Sequence, residues 1–266
     1  LCRQAPGTVD WLNAQGVAFD RACDGQLALG REGGHGAPRI VHAGGDATGA
    51  ALIRVLLKRA RAAAHVEWRG GLEAEALLLR GGQVCGVRAR DASGADHEIE
   101  AAAVVLATGG LCAMFARTSN PAGADGAGLA LALAAGAQPR DLEFVQFHPT
   151  ALDISGHSLP LLTEALRGAG ASLRDRGGSA LMAGLHPLGD LAPRDIVSRR
   201  VWQARRDGAV WLDARAVQGD FSRRFPTVLA ACLAHGFDPR QALLPITPVA
   251  HFHMGHRVDA QQLFER

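Results

Sequence analysis

Hydrophobic positions recur along this chain with two different periods, and the change of period divides it. Between 47 and 64, apolar Leu52, Val55, Leu56 and Ala60 recur at helical spacing with Arg54, Lys58, Arg59 and Arg61 around them, which predicts an amphipathic helix. A shorter helix is predicted over 8–19, where Val9-Asp10-Trp11-Leu12 runs into a turn at Gly16. Residues 23–46 are glycine-rich without a period and read as loop. Beyond 70 the period shortens. Residues 72–79, 83–90 and 97–101 read as strands separated by Gly81-Gly82 and by Asp91-Ala92-Ser93-Gly94, an antiparallel meander. Residues 103–107 are wholly apolar and predict a buried strand ending at Thr108-Gly109-Gly110, the kind of opening where ligands sit on a parallel sheet. A small Ala-rich helix is predicted at 128–136, a strand at 142–147, helices at 160–168, 194–207 and 222–235, and a strand at 209–213. Pro193 suits the first turn of the 194–207 helix.

Composition narrows the class. A 266-residue chain with 48% hydrophobic residues can bury a core, which excludes intrinsic disorder. The 28 Lys and Arg against 26 Asp and Glu leave a net charge of +2, too balanced for a nucleic-acid partner. Five cysteines at 2, 23, 85, 112 and 232 include no CxxC pair, and the odd count points to a reducing, cytoplasmic setting without a zinc ribbon. Apolar runs are strand-length or interrupted by charge, so no membrane span is expected.

Several groups could carry chemistry. His148-Pro149-Thr150 follows the strand at 142–147 and is either a site residue or a capped core-edge histidine. Thr163 and Arg167 stand four apart and Glu164 and Arg167 three apart, so they share a helix surface, as a functional cluster or an ordinary ion pair. Arg194 opens a helix, where the dipole disfavours a cation. Such an arginine either grips a carboxylate or is solvated. His251 and His253 share one face if extended, and present a histidine to an anion, fill a core or, least in keeping with the rest, bind a metal. Glycines at 44–45, 109–110, 126 and 128 allow close backbone approach, although no GxGxxG fingerprint occurs.

The order and wording of these segments are more specific than any one of them. Leu142-Glu143-Phe144-Val145-Gln146-Phe147-His148-Pro149-Thr150-Ala151-Leu152, Leu162-Thr163-Glu164-Ala165-Leu166-Arg167-Gly168 and Leu191-Ala192-Pro193-Arg194-Asp195 resemble the flavoproteins of the succinate dehydrogenase and fumarate reductase family. His42-Ala43-Gly44-Gly45-Asp46-Ala47-Thr48-Gly49, Val104-Val105-Leu106-Ala107-Thr108-Gly109-Gly110 and 248–255 fit it too. Ala151-Leu152, Ala165-Leu166 and Pro193 follow the wording of its aspartate-oxidase branch. The resemblance implies an α/β fold, with an incomplete Rossmann-like FAD-binding domain and its meander over 1–147. It further implies an α+β capping domain over 148–252 and the start of a return to the FAD-binding domain over 253–266.

The resemblance also implies an activity, FAD-dependent oxidation of L-aspartate to iminoaspartate. That reaction is the first step toward quinolinate and NAD, with oxygen or fumarate as acceptor and quinolinate synthase as the downstream partner. His148, Thr163, His251 and Arg194 would bind the dicarboxylate. Arg194 would move the proton with Glu164 and Arg167 as its relay, and Gly109, Gly110, Asn120, Gly126 and Gly128 would contact FAD. No metal is implied. The alternatives are a succinate- or fumarate-directed flavoprotein and a remnant that holds no FAD.

The chain also departs from that pattern. The family's opening strand and glycine fingerprint, its Gly-Glu flavin segment and its helical C-terminal domain have no counterpart. Ala127 stands where an acid is usual, Arg167-Gly168-Ala169-Gly170 replaces Arg-Gly-Glu-Gly, Gly255-His256 replaces Gly-Gly, and Ala51 replaces a common Glu. The expectation is a piece of a longer enzyme that holds FAD weakly and has little activity alone.

Overall fold

Helix α1 (Ala5–Gln15) begins three residues before the predicted 8–19 span, with Pro6 in its first turn, where the missing N–H costs nothing. It stops at Gly16, whose φ of 106° lets its N–H return to Asn13 O. The computed structural model describes residues 2–254. The 23–46 loop holds two short antiparallel strands, β1 (Leu29–Gly30) and β2 (Ile40–Val41), before α2 (Thr48–Ala62). The meander forms as predicted. β3 (Leu72–Arg80), β4 (Gln83–Asp91) and β5 (Asp96–Glu100) pair antiparallel in that order. Gly81 and Gly82 turn the first hairpin with φ of 60° and 78°, the twist that a two-residue turn needs. Helix α3 follows at Ala127–Ala134.

Four expectations are corrected. Residues 103–107 form no strand, and Val105 is 88% exposed. An apolar run becomes a strand only when a neighbour takes its backbone hydrogen bonds, and the described residues supply none there. The strand expected at 142–147 is β6 (Val145–Leu152), because Asp141, at φ 58°, turns the chain and Phe144 N–H closes that turn on Asp141 O. His148, Pro149 and Thr150 therefore lie within the strand and not after it.

The helix expected at 160–168 shrinks to α4 (Ala165–Gly168). The backbone of 160–162 pairs with β6 instead, through Leu162 N–H to Thr150 O and Leu152 N–H to Pro160 O. β7 (Ser172–Arg174), which has no counterpart among the predicted elements, comes next, then α5 (Arg194–Arg205), with Pro193 one residue ahead of its first turn, and β8 (Trp211–Asp213). The helix expected at 222–235 is two, α6 (Phe221–Arg224) and α7 (Pro226–Ala234), since Pro226 has no N–H to continue the first. β9 (Leu244–His253) closes the described chain. Gly255, His256 and most of the expected 253–266 segment lie outside the described residues.

The fold is mixed α/β and divides into two compact units. Among the described residues, one comprises 2–67, 148–155 and 159–249; the other comprises 68–147, 156–158 and 250–254. The first is built on the sheet ordered β6-β9-β8-β7, with β7-β8 and β8-β9 antiparallel. Leu152, Leu166, Leu173, Val201, Leu212 and Ile246 are among the fully buried side chains of its core. A smaller cluster around Val17, Phe19 and Ala43 seats α1 and α2. The second unit carries the meander, α3 and the 108–128 glycine turns.

Candidate functional site

In the first unit, three residues that the sequence spaces 164, 167 and 194 meet at one carboxylate. Glu164 immediately precedes α4, and Arg167 lies three residues on, over the same face. Arg167 Nη2 donates to Glu164 Oε1 at 2.7 Å, and Arg194 Nε donates to Glu164 Oε2 at 2.7 Å. The Glu164 and Arg167 side chains are 4% and 0% exposed, and Arg194, the first residue of α5, is 27% exposed. The carboxylate thus answers the misfit of a cation at a helix start. A buried carboxylate shared by two guanidinium groups is stable only while all three stay together. Burial pulls Arg167 below its usual range, while Glu164 and Asp190 hold it up.

Two neighbours that the sequence did not single out frame this group. Arg167 Nη1 donates to the Asp190 carbonyl. Gly33 passes so close that a Cβ there would lie 2.5 Å from Glu164 Oε1, and a Cβ on Gly168 would lie 2.1 Å from Arg31 O. Gly34 N–H ties the same loop to Leu191 O at 2.8 Å. The Gly33-Gly34 doublet was the available signal, but glycines in a loop without period carry no address.

His148 is 1% exposed, and its Nδ1 accepts from Thr150 N–H at 3.3 Å. Thr150 Oγ1 donates to Leu162 O at 2.8 Å, fastening β6 to the segment that leads into Thr163. Thr163 lines a cavity of about 850 Å³ together with Asp20, His42, Gly44, Gly45 and Arg224. The glycine doublet does not offer its N–H groups to this cavity. Gly44 and Gly45 N–H donate to the two oxygens of Asp20 at 2.9 and 2.8 Å. Asp46, which also lines the cavity, caps α7, accepting from Thr227 N–H at 2.8 Å and Val228 N–H at 2.9 Å.

The second unit gathers the remaining residues. Gly110 O accepts from Gly126 N–H at 3.1 Å, and a Cβ on Gly128 would sit 1.8 Å from Thr108 Oγ1, so the 108–110 turn lies directly on the start of α3. Gly109 and Gly126 have φ of 79° and 86°. Asp125 Oδ1 accepts from Ala127 N–H at 3.0 Å, so the carboxylate beside the substituted position serves the helix start. Asn120 Nδ2 donates to His251 O at 2.8 Å, and Ser119 Oγ lies 2.7 Å from His251 Nδ1. Hence Gly109, Gly110, Gly126 and Gly128 converge on one turn, and Asn120 holds His251. Among the described residues no group of three His, Cys, Asp or Glu is placed to hold a metal ion.

A family model described as FAD binding domain matches residues 1–262. The chain belongs to this family. It is 46% identical over 258 residues to the L-aspartate oxidase of Caulobacter vibrioides, covering 96% of this chain and 50% of that protein. The L-aspartate oxidase of Bacillus subtilis is 45% identical over 248 residues, 93% of this chain and 46% of that protein. Among solved structures, an E. coli quinol fumarate reductase FrdA variant superposes with a TM-score of 0.84 at 30% identity, over 95% of this chain and 47% of that one. The chain therefore spans about half the length of the curated relatives it matches.

FAD fits the residues present. The 850 Å³ cavity is of the size that holds a cofactor, and Arg21, Arg31, Arg223 and Arg224 around it suit an anionic dinucleotide. In the second unit, Gly109 has no atom within 4 Å of where a Cβ would stand, which leaves its backbone open to close approach.

Proposed function

We propose that this chain carries the dicarboxylate-handling part of an FAD-dependent L-aspartate oxidase, which converts L-aspartate to iminoaspartate. The observation that carries the reading is the Glu164 carboxylate bridging Arg167 and Arg194 at 2.7 Å each. The flavin, when bound, supplies the acceptor for the hydride that leaves the substrate. The chain supplies orientation and proton transfer.

Arg194 has the bidentate geometry that grips a carboxylate, with Nε already committed to Glu164. An arginine is a poor base, because its guanidinium gives up a proton only reluctantly. It moves a proton by first losing the Nε hydrogen to Glu164, after which the neutral guanidine takes one from the substrate and the guanidinium charge is restored. Glu164, sealed between two cations, receives that proton. His148, Thr163 and His251 bind the substrate carboxylates in this reading, and Gly109, Gly110, Asn120, Gly126 and Gly128 contact the flavin. The domain reading goes with it: 1–147 as part of the FAD-binding domain, 148–252 as the cap, and 253–266 as the return.

Oxygen or fumarate is the proposed acceptor, and an enzyme class that condenses iminoaspartate, as quinolinate synthase does, the proposed downstream partner. Among the described residues no helix is long and apolar enough to cross a membrane. Five free cysteines support a cytoplasmic site of action.

A second reading, succinate or fumarate turnover, is favoured by the TM-score of 0.84 to the fumarate reductase chain, but at 30% identity against 46% for the aspartate oxidase. The test is anaerobic: the purified full-length protein, loaded with FAD and desalted, is mixed with aspartate or succinate. Bleaching of the flavin band by aspartate alone is expected, and bleaching by succinate alone overturns the first reading in favour of the second. The same desalting step applied to this 266-residue chain reports how firmly it holds FAD by itself.

A further inference from the structure

Three buried side-chain atoms in the described residues have no hydrogen-bond partner: Arg167 Nε, Asp190 Oδ1 and His35 Nδ1. A buried polar atom left unpaired costs about 1–3 kcal/mol, so orphans are rare and mark sites with a task. The first two belong to residues already joined, since Arg167 Nη1 donates to the Asp190 carbonyl. One is a donor and the other an acceptor. The third sits on the 31–36 loop, which Gly34 N–H pins to Leu191, the residue next to Asp190.

We propose that Asp190 is the outer carboxyl of the relay, the group through which the proton carried by Glu164 and Arg167 exchanges with solvent. This rests on the proposed oxidase reading and extends it by one residue. Arg167 is fully buried and cannot exchange protons with bulk water directly. Asp190 is only half-buried, with one oxygen sealed and the exposed Pro187 and Leu188 just before it. It is therefore the place where the chain of groups from Arg194 inward comes back to the surface.

The steps balance. Arg167 first gives up its Nε hydrogen, through one solvent water, to the Asp190 carboxylate, and the neutral guanidine so formed, in the tautomer with its lone pair at Nη2, then takes the proton from Glu164. Arg167 ends with the charge it began with, and the Asp190 carboxyl then loses its proton to solvent. Burial raises Asp190 above the usual carboxylate range, against the pull of the Leu173 N–H and of Arg167 and Arg174, which suits a carboxyl that must hold a proton in passing.

The experiment uses the full-length protein with FAD bound. Asp190→Asn keeps the shape and the backbone contact to Arg167 but cannot carry a proton. Its kcat for aspartate should fall about tenfold or more, with KM unchanged and a larger solvent deuterium isotope effect on kcat. Asp190→Glu should recover most of the rate. The flavin spectrum and melting temperature serve as controls that the variant is folded and loaded. If Asp190→Asn keeps kcat and the isotope effect of the wild type, or loses rate with no change in isotope effect and no recovery by Asp190→Glu, the inference is wrong while the oxidase reading stands. If the loaded wild type turns over no dicarboxylate at all, the oxidase reading fails and takes this inference with it.

Discussion

Glu164 Oε2 lies 2.7 Å from Nε of Arg194, a residue thirty positions away at the start of another helix. With Arg167 on the other oxygen, one carboxylate fixes the rotamers of two guanidinium groups. Removing that carboxylate leaves two cations facing each other, one of them fully buried. Glu164→Ala should therefore cost about 3–5 kcal/mol of stability, the penalty for stranding one side of a buried ion pair. Urea unfolding checks it, and a loss under 1 kcal/mol would mean that the cluster relaxes into solvent.

Gly33 limits the same carboxylate by volume alone. A Cβ would come within 2.5 Å of Glu164 Oε1, and nothing in the Gly33 dihedrals otherwise demands glycine. Gly33→Ala should cost about 1–3 kcal/mol as an overpacked contact. In the full-length protein its kcat should fall further than its stability suggests, because displacement of Glu164 reaches Arg194. Parallel measurement of kcat and melting temperature tests this, and unchanged kcat in a stable variant refutes it.

Asp46 reaches across about 180 residues to cap α7 through Thr227 and Val228 N–H. Asp46→Ala should destabilise the protein by about 1 kcal/mol, the usual worth of a helix cap. Asp46→Asn should recover most of it, since a neutral oxygen still accepts. Thermal unfolding of the two variants separates capping from a cofactor role, which would instead show as lost flavin with no shift in melting.

Burial raises the Cys232 thiol to about 11, with the nearby Asp238 charge adding to the effect, and burial raises Cys112 as well. A raised thiol keeps its proton in the folded state after the unfolded chain has lost it. The unfolded state then binds fewer protons, so stability is unaffected below the ordinary thiol value of about 9 and declines as pH climbs from there toward 11. At pH 8, iodoacetamide should modify the exposed Cys2 and Cys23 quickly and leave Cys112 and Cys232 intact until the chain unfolds. Peptide mass mapping over time gives the answer, and early labelling at Cys232 would contradict its burial.

The periodic pattern along the chain reports local structure. The meander was legible because strand periodicity and the Gly81-Gly82 turn act on adjacent residues. Helix α2 was legible because its apolar stripe repeats within a few turns. The members of the Glu164 cluster were legible one by one, through helical spacing for Glu164 and Arg167 and an electrostatic oddity for Arg194.

Tertiary structure decided whatever depended on a distant partner. The apolar 103–107 run is no strand, since no described neighbour takes its backbone groups. Residues 160–162 pair with β6 despite a helical pattern, because Thr150 and Leu152 offer them hydrogen bonds. That Glu164 meets Arg194, that Gly33 lies against it, and that Arg167 reaches the Asp190 carbonyl arise from the chain folding back over more than twenty residues. Sequence periodicity reports which face a residue turns, whereas the identity of what meets that face is settled only when the chain closes on itself.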